Sequence, residues 1–177
     1  VTASRSRRLG LFAAAFAAVF ALDQATKALA RAALAVGEPV TLLPGVMDLC
    51  LVFNGGAAFS MGEGLAWLFV AIAVVVALGC AAYVAFGTPG RALSAVLGAV
   101  AGGGIGNLVD RVLTGTVTDF FMPTFVDFAV FNVADIALTC GFVVAFVLYW
   151  REDAAREREL AAASEHGARE ERGGERP

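Results

Sequence analysis

Four apolar runs divide this chain, and the second of them, LAWLFVAIAVVVALGCAAYVAF (Leu65–Phe86), holds no charged residue. A helix that spans a bilayer needs roughly 20 apolar residues. This run is therefore a membrane helix by length alone. The others are Leu9–Leu22, Ala92–Val109 and Val133–Trp150. The last two span if their polar ends reach the interface. The first spans if its helix continues through DQATKALA. It is not a signal peptide: no small-residue cleavage site follows it, and Asp23, Gln24 and Lys27 stand there instead. The 177 residues have room for one domain. The expected fold is integral membrane α-helical, a four-transmembrane-helix bundle over residues 1–150, with helices at about 9–30, 65–86, 92–112 and 133–150.

Basic residues beside the spans set the orientation. Arg5, Arg7 and Arg8 precede the first run, Arg91 lies in the turn between the second and third, and Arg151, Arg156 and Arg158 follow the fourth. The opposite side carries only Lys27, Arg31 and Arg111. Both termini are thus expected in the cytoplasm, with segments of about 31–64 and 113–132 outside. Residues 151–177, nearly all charge and alanine, read as a solvated cytoplasmic tail, helical in part around REDAAREREL.

Several function classes fall away. No basic stripe with interleaved aromatics exists, so nucleic acid is not an expected partner. The spacing of Cys50, Cys80 and Cys140 fits no metal or haem motif. Cys80 and Cys140 lie in apolar runs and read as small buried hydrophobes. The only histidine, His166, is in the tail. No metal and no cofactor are expected.

The outer segments read as a small sheet. In VMDLCLVFN, Met47, Leu49, Leu51 and Phe53 alternate with Asp48, Cys50, Val52 and Asn54, the period of a half-buried strand. Pro44-Gly45 reads as a turn between two short strands, and TVTDFF and FVDFAVF are also β-prone.

The polar residues converge on one depth. A helix starting near Arg91 places Asp110 about 27 Å along its axis, and Asp135 lies about 22 Å from the far end of the fourth helix. Both acids fall near the outer boundary, with Asp23 and Asn54 at a similar level. An acid in a membrane is costly and is a functional candidate by default. Each has an amide three residues before it on one helix face: Asn107 before Asp110, Asn132 before Asp135. Asp135 also fits a helix-start acid, with Asn132 as the N-cap. Asp110 does not: it sits at a helix C-terminus, where the dipole opposes it. Two close carboxylates do not both ionise easily, so one can act as base and the other as acid. The ionised member activates water, and the protonated member polarises a carbonyl and then protonates the leaving nitrogen.

Five blocks then match a known family: DQATK (Asp23–Lys27), FNGGAAFS (Phe53–Ser60), GGGIGNLVDRV (Gly102–Val112), GTVTDFF (Gly115–Phe121) and VFNVADIAL (Val130–Leu138). In this order the chain resembles lipoprotein signal peptidase (signal peptidase II), an aspartyl membrane protease, over about Leu9 to Trp150. The resemblance implies a multi-pass protein of the bacterial cytoplasmic membrane, with its site near the extracytoplasmic face. It implies cleavage of a prolipoprotein just before a cysteine that carries diacylglyceryl. The lipid would stay in the bilayer and deliver the scissile bond at headgroup depth. The implied fold adds a small extracytoplasmic β-sheet cradle and a short helix on the membrane surface. The implied catalytic residues are Asp110 and Asp135. The implied substrate-binding and support residues are Asp23, Lys27, Asn54, Asn107, Arg111 and Asn132. Gly56 joins them as a close-approach glycine after Asn54, and Ala134 as part of the NVAD block. The expected partners are lipid-modified prolipoprotein and membrane lipid, and the expected state is a monomer.

Simpler readings stand beside these. Asp23 and Lys27 have the spacing of an ordinary surface ion pair. Arg111 serves equally as a headgroup anchor. Asp119 stands between a strand-end surface acid and a member of the site. Gly102, Gly103, Gly104 and Gly106 read mainly as helix-packing residues that bring the aspartates together. FSMGEG reads as part of the loop entering the second helix. The rival functions are a small proton-coupled transporter, a non-catalytic membrane scaffold and a presenilin-type protease. The inner halves of the runs lack the polar relay of the first, and the last carries a Gly-x-Gly-Asp signature absent here.

Overall fold

The computed structural model describes residues 4–56 and 65–174, with side chains to 164. Four helices are long and apolar enough to cross a membrane: α1 (Arg5–Ala33), α2 (Ala66–Phe86), α3 (Arg91–Thr114) and α4 (Val133–Gly174). Three strands form one antiparallel sheet in the order β1 (Val40–Leu43), β2 (Met47–Asn54), β3 (Val117–Pro123). The segment 57–64, which contains all of FSMGEG, lies outside the described residues.

Helix α3 is the hub. Of its apolar window 56% is buried, against 6% to 11% in the other three helices. Small residues make this possible. A Cβ on Gly98 would lie 2.9 Å from the Phe12 Cα, and one on Gly102 would lie 3.1 Å from the Phe16 Cα. A Cβ on Gly103 would meet the Ala134 carbonyl of α4 at 2.9 Å. In lipid, where no hydrophobic force separates helix from solvent, such close backbone approach supplies the packing. The α1 side of the contact is stiffened by a stack of Phe12, Phe16 and Phe20, with centroids 6.5 and 6.1 Å apart. Helix α2, by contrast, leaves Trp67, Val75, Leu78 and Phe86 exposed, as a lipid-facing helix does.

The sheet seats on one end of the bundle. Leu51 and Phe120 pack with Ala30 of α1, and Leu34, Leu49, Phe121 and Val133 surround them. Gly45, at φ 71°, makes the expected Pro44-Gly45 turn, a conformation that glycine adopts without a Cβ penalty. The alternation of β2 is broken, however. A register shift between Leu49 and Val52 leaves consecutive Cys50 and Leu51 both buried, while Phe53 is half exposed. A bulge inserts one residue and turns the following side chains to the other face. FVDFAVF does not form a strand. Only Phe131 bridges to β3, exchanging backbone bonds with Phe121 at 2.8 and 3.0 Å.

At the other end, the tail is not a separate element, because α4 runs on without a break to Gly174. Its extension grips the α2–α3 turn. The Gly90 N–H donates to Glu152 Oε2 at 2.9 Å, and Arg156 Nη2 donates to the Thr88 carbonyl at 2.6 Å. From α1, Arg8 Nη2 donates to the Gly87 carbonyl at 2.9 Å. Ending the chain after Trp150 removes two of these three grips. Each charged hydrogen bond is worth about 1.5–3 kcal/mol at most, and less when exposed. The truncated protein is expected to melt about 5 °C below the full chain in detergent. An unchanged melting temperature would show that the extension leaves the bundle's stability untouched.

Candidate active site

The sheet end of the bundle holds a buried polar cluster drawn from every element except β1 and α2. It begins on α1. Asp23 and Lys27, four residues apart, form an ion pair at 2.9 Å, and both are fully buried. The surface-pair reading of this spacing therefore does not hold. Lys27 Nζ also lies 3.2 Å from Asp110 Oδ2 and donates to Asn107 Oδ1 at 2.8 Å. Asp23 reaches α4, where its Oδ1 accepts the Ala134 N–H at 3.0 Å. That N–H is one of the unpaired donors of the first helical turn, so α1 caps α4 across the bundle. Gln24 adds a bond to the Gly106 carbonyl at 3.2 Å.

Asn132 and Asp135 form a reciprocal cap. The Asp135 N–H donates to Asn132 Oδ1 at 3.0 Å, and the Asn132 N–H donates to Asp135 Oδ2 at 3.1 Å. Asp135 thus occupies the helix-start position that its sequence suggests, where the dipole favours negative charge. Its second oxygen accepts Asn107 Nδ2 at 2.8 Å.

Asp110 sits differently from the expected pairing with Asp135. Its Oδ2 accepts the Thr118 N–H at 3.1 Å and faces Lys27, and its Oδ1 lies 3.9 Å from Arg31 Nη1. The acid that the α3 dipole opposes is held by an ammonium from α1 and the Thr118 N–H of β3. It joins three elements. It is not among the described residues that line the large cavity at this end.

Asp119 is. A cavity of about 550 Å³ opens beside Asp135, with Asp119, Asn54, Gly56, Asn107 and Arg111 on its polar wall. Its other walls are apolar: Phe69, Ile72 and Val76 of α2, Leu138 and Phe142 of α4, and Phe128–Phe131 of the loop before α4. Asp119 Oδ1 accepts Asn132 Nδ2 at 2.7 Å, and its Oδ2 accepts Asn54 Nδ2 at 3.0 Å. Burial raises the Asp119 carboxyl to about 6, and the negative charge of Asp135 adds to the rise. The bonds from Asn54 and Asn132 and the charge of Lys27 pull the other way, and burial prevails. The pair on the cavity is Asp119 with Asp135.

The remaining expected residues fall around this pair. The Gly56 N–H donates to Asn54 Oδ1 at 2.9 Å, which turns the Asn54 amide N–H toward Asp119. Arg111 Nη2 donates to the Gly56 carbonyl at 2.8 Å, and its guanidinium lies 5.1 Å from the Phe69 ring centroid. Arg111 therefore braces the cavity wall and is committed away from a headgroup role. Thr118, whose Oγ1 accepts Arg31 Nη1 at 2.8 Å, belongs to the cluster without an expectation behind it. Cys140 is exposed and lines the cavity, and Cys80 is half-buried, so neither is the buried hydrophobe its apolar run suggests. Among the described residues no group of His, Cys, Asp and Glu is arranged to hold a metal.

Comparison with known proteins agrees with this architecture. Residues 15–151 match the family model described as Signal peptidase (SPase) II. A lipoprotein signal peptidase of Streptococcus pyogenes serotype M6 is 38% identical over 147 residues, which cover 81% of this chain and 95% of the relative. The serotype M1 protein of the same name is 37% identical over the same length. A bacterial membrane enzyme solved by the in meso method superposes with a TM-score of 0.75 at 25% identity, covering 83% of this chain and 91% of the other. A second such enzyme gives 0.71 at 26% identity, covering 78% and 91%. With its four spanning helices, its sheet and a match over most of its length, this chain is a multi-pass membrane protein that belongs to the bacterial signal peptidase II family.

Proposed function

We propose that this protein is an aspartic endopeptidase that cleaves a diacylglyceryl-modified prolipoprotein just before its lipidated cysteine, with Asp119 and Asp135 as the catalytic pair. The observation that carries this reading is the shared cavity: a buried carboxylate, Asp119, and a half-buried one, Asp135, on one polar wall, with apolar walls formed by α2 and α4. Asp135, at a helix N-terminus whose dipole favours negative charge, is the base. It takes a proton from water, whose oxygen adds to the scissile carbonyl. Asp119 is the acid. It protonates the carbonyl oxygen as the tetrahedral intermediate forms; as the C–N bond breaks, the proton that Asp135 gained passes to the leaving nitrogen and one hydroxyl of the intermediate returns its proton to Asp119. The apolar walls take the apolar part of the substrate, and Arg111 and Asn54 hold the wall against which its backbone lies.

The arginines at the α2–α3 turn and both termini belong in the cytoplasm by the positive-inside rule. The sheet and the cavity then face outward, at the depth where a lipid-anchored substrate presents its peptide bond. The chain is taken to act as a monomer. A proton relay needs acids continuing through the bundle. Between the sheet end and Ser94, the buried face of α3 is instead glycine, alanine and valine.

The test is complementation. In cells depleted of their own enzyme, with a tagged prolipoprotein followed by gel shift, the wild-type chain is expected to restore the mature form. The Asp135→Asn variant is expected to insert normally and leave the lipid-modified precursor uncleaved. Processing at near the wild-type rate by that variant would overturn the assignment of Asp135.

A further inference from the structure

The cavity that holds Asp119 and Asp135 is continued further down the bundle. Phe142 of α4 lines it and also lines a second, lower cleft of about 410 Å³. The walls of this cleft come from the same two helices: Gly79, Cys80 and Tyr83 on α2, and Phe142, Phe146 and Tyr149 on α4. Leu93 and Leu97 of α3 form its back. The described residues that line it carry no charge. The two spaces follow one seam because α2 and α4 each pack on α3 and scarcely on each other. At the lower end the seam closes. The Tyr83 and Tyr149 rings meet across it, with centroids 6.3 Å apart. Just below them, Glu152 and Arg156 of α4 hold the α2–α3 turn at Gly90 and Thr88, which fixes the closed end.

Depth decides what such a cleft takes. Leu93 stands about 3 Å along α3 from Arg91, and Tyr149 directly precedes Trp150, so the tyrosine end lies at the cytoplasmic boundary. The hydrocarbon core is about 30 Å thick, and acyl chains anchored in the outer leaflet reach about half of it. The lower cleft, about 10 Å of α4 from Phe142 to Tyr149, occupies the other half. The diacylglyceryl group does not reach it. The substrate segment that precedes the scissile bond enters from the cytoplasm and crosses this half. From Asp135 to Tyr149 there is room for about 21 Å of helix, or roughly 14 residues. The apolar core of a signal peptide has roughly 7–15 residues. We propose that Tyr83 and Tyr149 are specificity-determining residues: they close the α2–α4 cleft at its cytoplasmic end and set how long an apolar signal segment can be while its peptide bond still sits at the cavity. The proposal rests on the reading of this chain as a prolipoprotein peptidase with its site at that cavity. Aromatic rings at a membrane boundary also serve as plain interfacial anchors. An anchor does not measure the substrate, so substrate length is the readout.

The experiment measures kcat and KM for the full-length enzyme in detergent. The substrates are synthetic diacylglyceryl-modified signal peptides whose apolar segments have about 8, 14 or 18 residues. For wild type, KM is expected to rise about tenfold from the middle to the longest substrate, with the effect in KM rather than kcat, because the misfit removes uniform binding. Tyr83→Ala/Tyr149→Ala is expected to remove most of that rise. Tyr83→Phe/Tyr149→Phe is expected to retain it, because the rings and not the hydroxyls close the cleft. Gly79→Leu keeps the test open if the alanine variant fails to fold, since a Cβ there meets nothing within 4 Å. Its side chain fills the lower cleft. It is expected to raise KM about tenfold for the middle substrate and far less for the shortest, which ends near Phe142. If wild type and variants share one length dependence, the proposal fails and the peptidase reading stands. The same holds if KM follows the length of the acyl chains instead, which would put the lipid in the cleft. A wild-type enzyme that cleaves none of the substrates overturns the peptidase reading, and the proposal with it.

Discussion

Asp119→Asn is expected to abolish cleavage and at the same time to cancel the loss of stability that the wild type suffers as pH rises from 4 to 8. The loss of activity follows from the missing proton donor, since general acid and base groups contribute about 10²- to 10⁴-fold each. The effect on stability follows from linkage. Burial raises the Asp119 carboxyl from 3.8 to about 6, so the folded chain binds this proton more tightly than the unfolded chain. The stability that this supplies is complete below about pH 4 and is lost as pH rises through 6. Above that, the folded state carries a buried charge at a cost of up to about 3 kcal/mol. Asparagine carries no charge at any of these pH values. Its NH2 group, however, faces the amide donor of Asn54 or Asn132, so the variant should melt below wild type at pH 4 and close that gap by pH 8. Asp110→Asn is expected to behave differently, with lower stability and measurable cleavage, because Lys27 loses one of its two carboxylates. Melting curves at the two pH values, together with the gel-shift assay, separate the cases. If Asp119→Asn cleaves and a folded Asp110→Asn does not, the site is Asp110 with Asp135.

Gly98→Leu and Gly102→Leu are expected to prevent assembly altogether. A Cβ at either position already meets α1 backbone, 2.9 Å from the Phe12 Cα and 3.1 Å from the Phe16 Cα, and backbone cannot rotate away. Holding α1 and α3 apart withdraws Lys27 from Asp110 and Asn107, which strands buried charge at about 3–5 kcal/mol for each broken pair. Gly104→Ala is the contrast. Its Cβ would find only the Leu138 Cδ2, at 3.9 Å, an ordinary contact. Size-exclusion profiles in detergent should show the two leucine variants aggregated and Gly104→Ala monodisperse. A monodisperse, active Gly102→Leu would mean that α1 and α3 tolerate separation.

The helices were legible because hydropathy and length decide them, whereas Lys27, Asn107 and Asn132 entered as support residues through the resemblance of their motifs. The choice between Asp110 and Asp119 was not legible. Depth along a helix gives a height, and the direction in which an α3 side chain points depends on which neighbour packs there. Asp110 reaches toward Lys27 and the β3 amides, a set of contacts spread over three elements. The position of Asp119 depends on a long-range register, Val52 opposite Asp119, set by a bulge in β2 that the alternating pattern of MDLCLVFN conceals. One signal was present: in TVTDFF an acid stands inside a β-prone apolar strand, sharing a face with Val117 and Phe121. An acid on the parity of buried apolar residues is a buried acid. The tail helix was legible only in part, around REDAAREREL, because a charged surface helix and a solvated coil share one composition; its unbroken continuation from the fourth span was not.

The cross-helix capping of α4 by Asp23 carries a consequence for how the protein is made. Synthesis runs from the N-terminus, so α1 enters the bilayer while Asp110, Asn107 and the Ala134 N–H are still unmade. A lone acid or ammonium costs about 2.5–3.5 kcal/mol at a helix centre, and at this stage Asp23 and Lys27 have only each other. The N-terminal helix is therefore the last to reach its final environment. The α1–α2 hairpin is a provisional state, and the arrival of α3, followed by the first turn of α4, completes it. The contacts that tie Lys27 to Asn107 and Asp110, and Asp23 to the Ala134 N–H, are thus the same ones that lock the first helix in place, so a bundle that has not closed lacks the polar cluster.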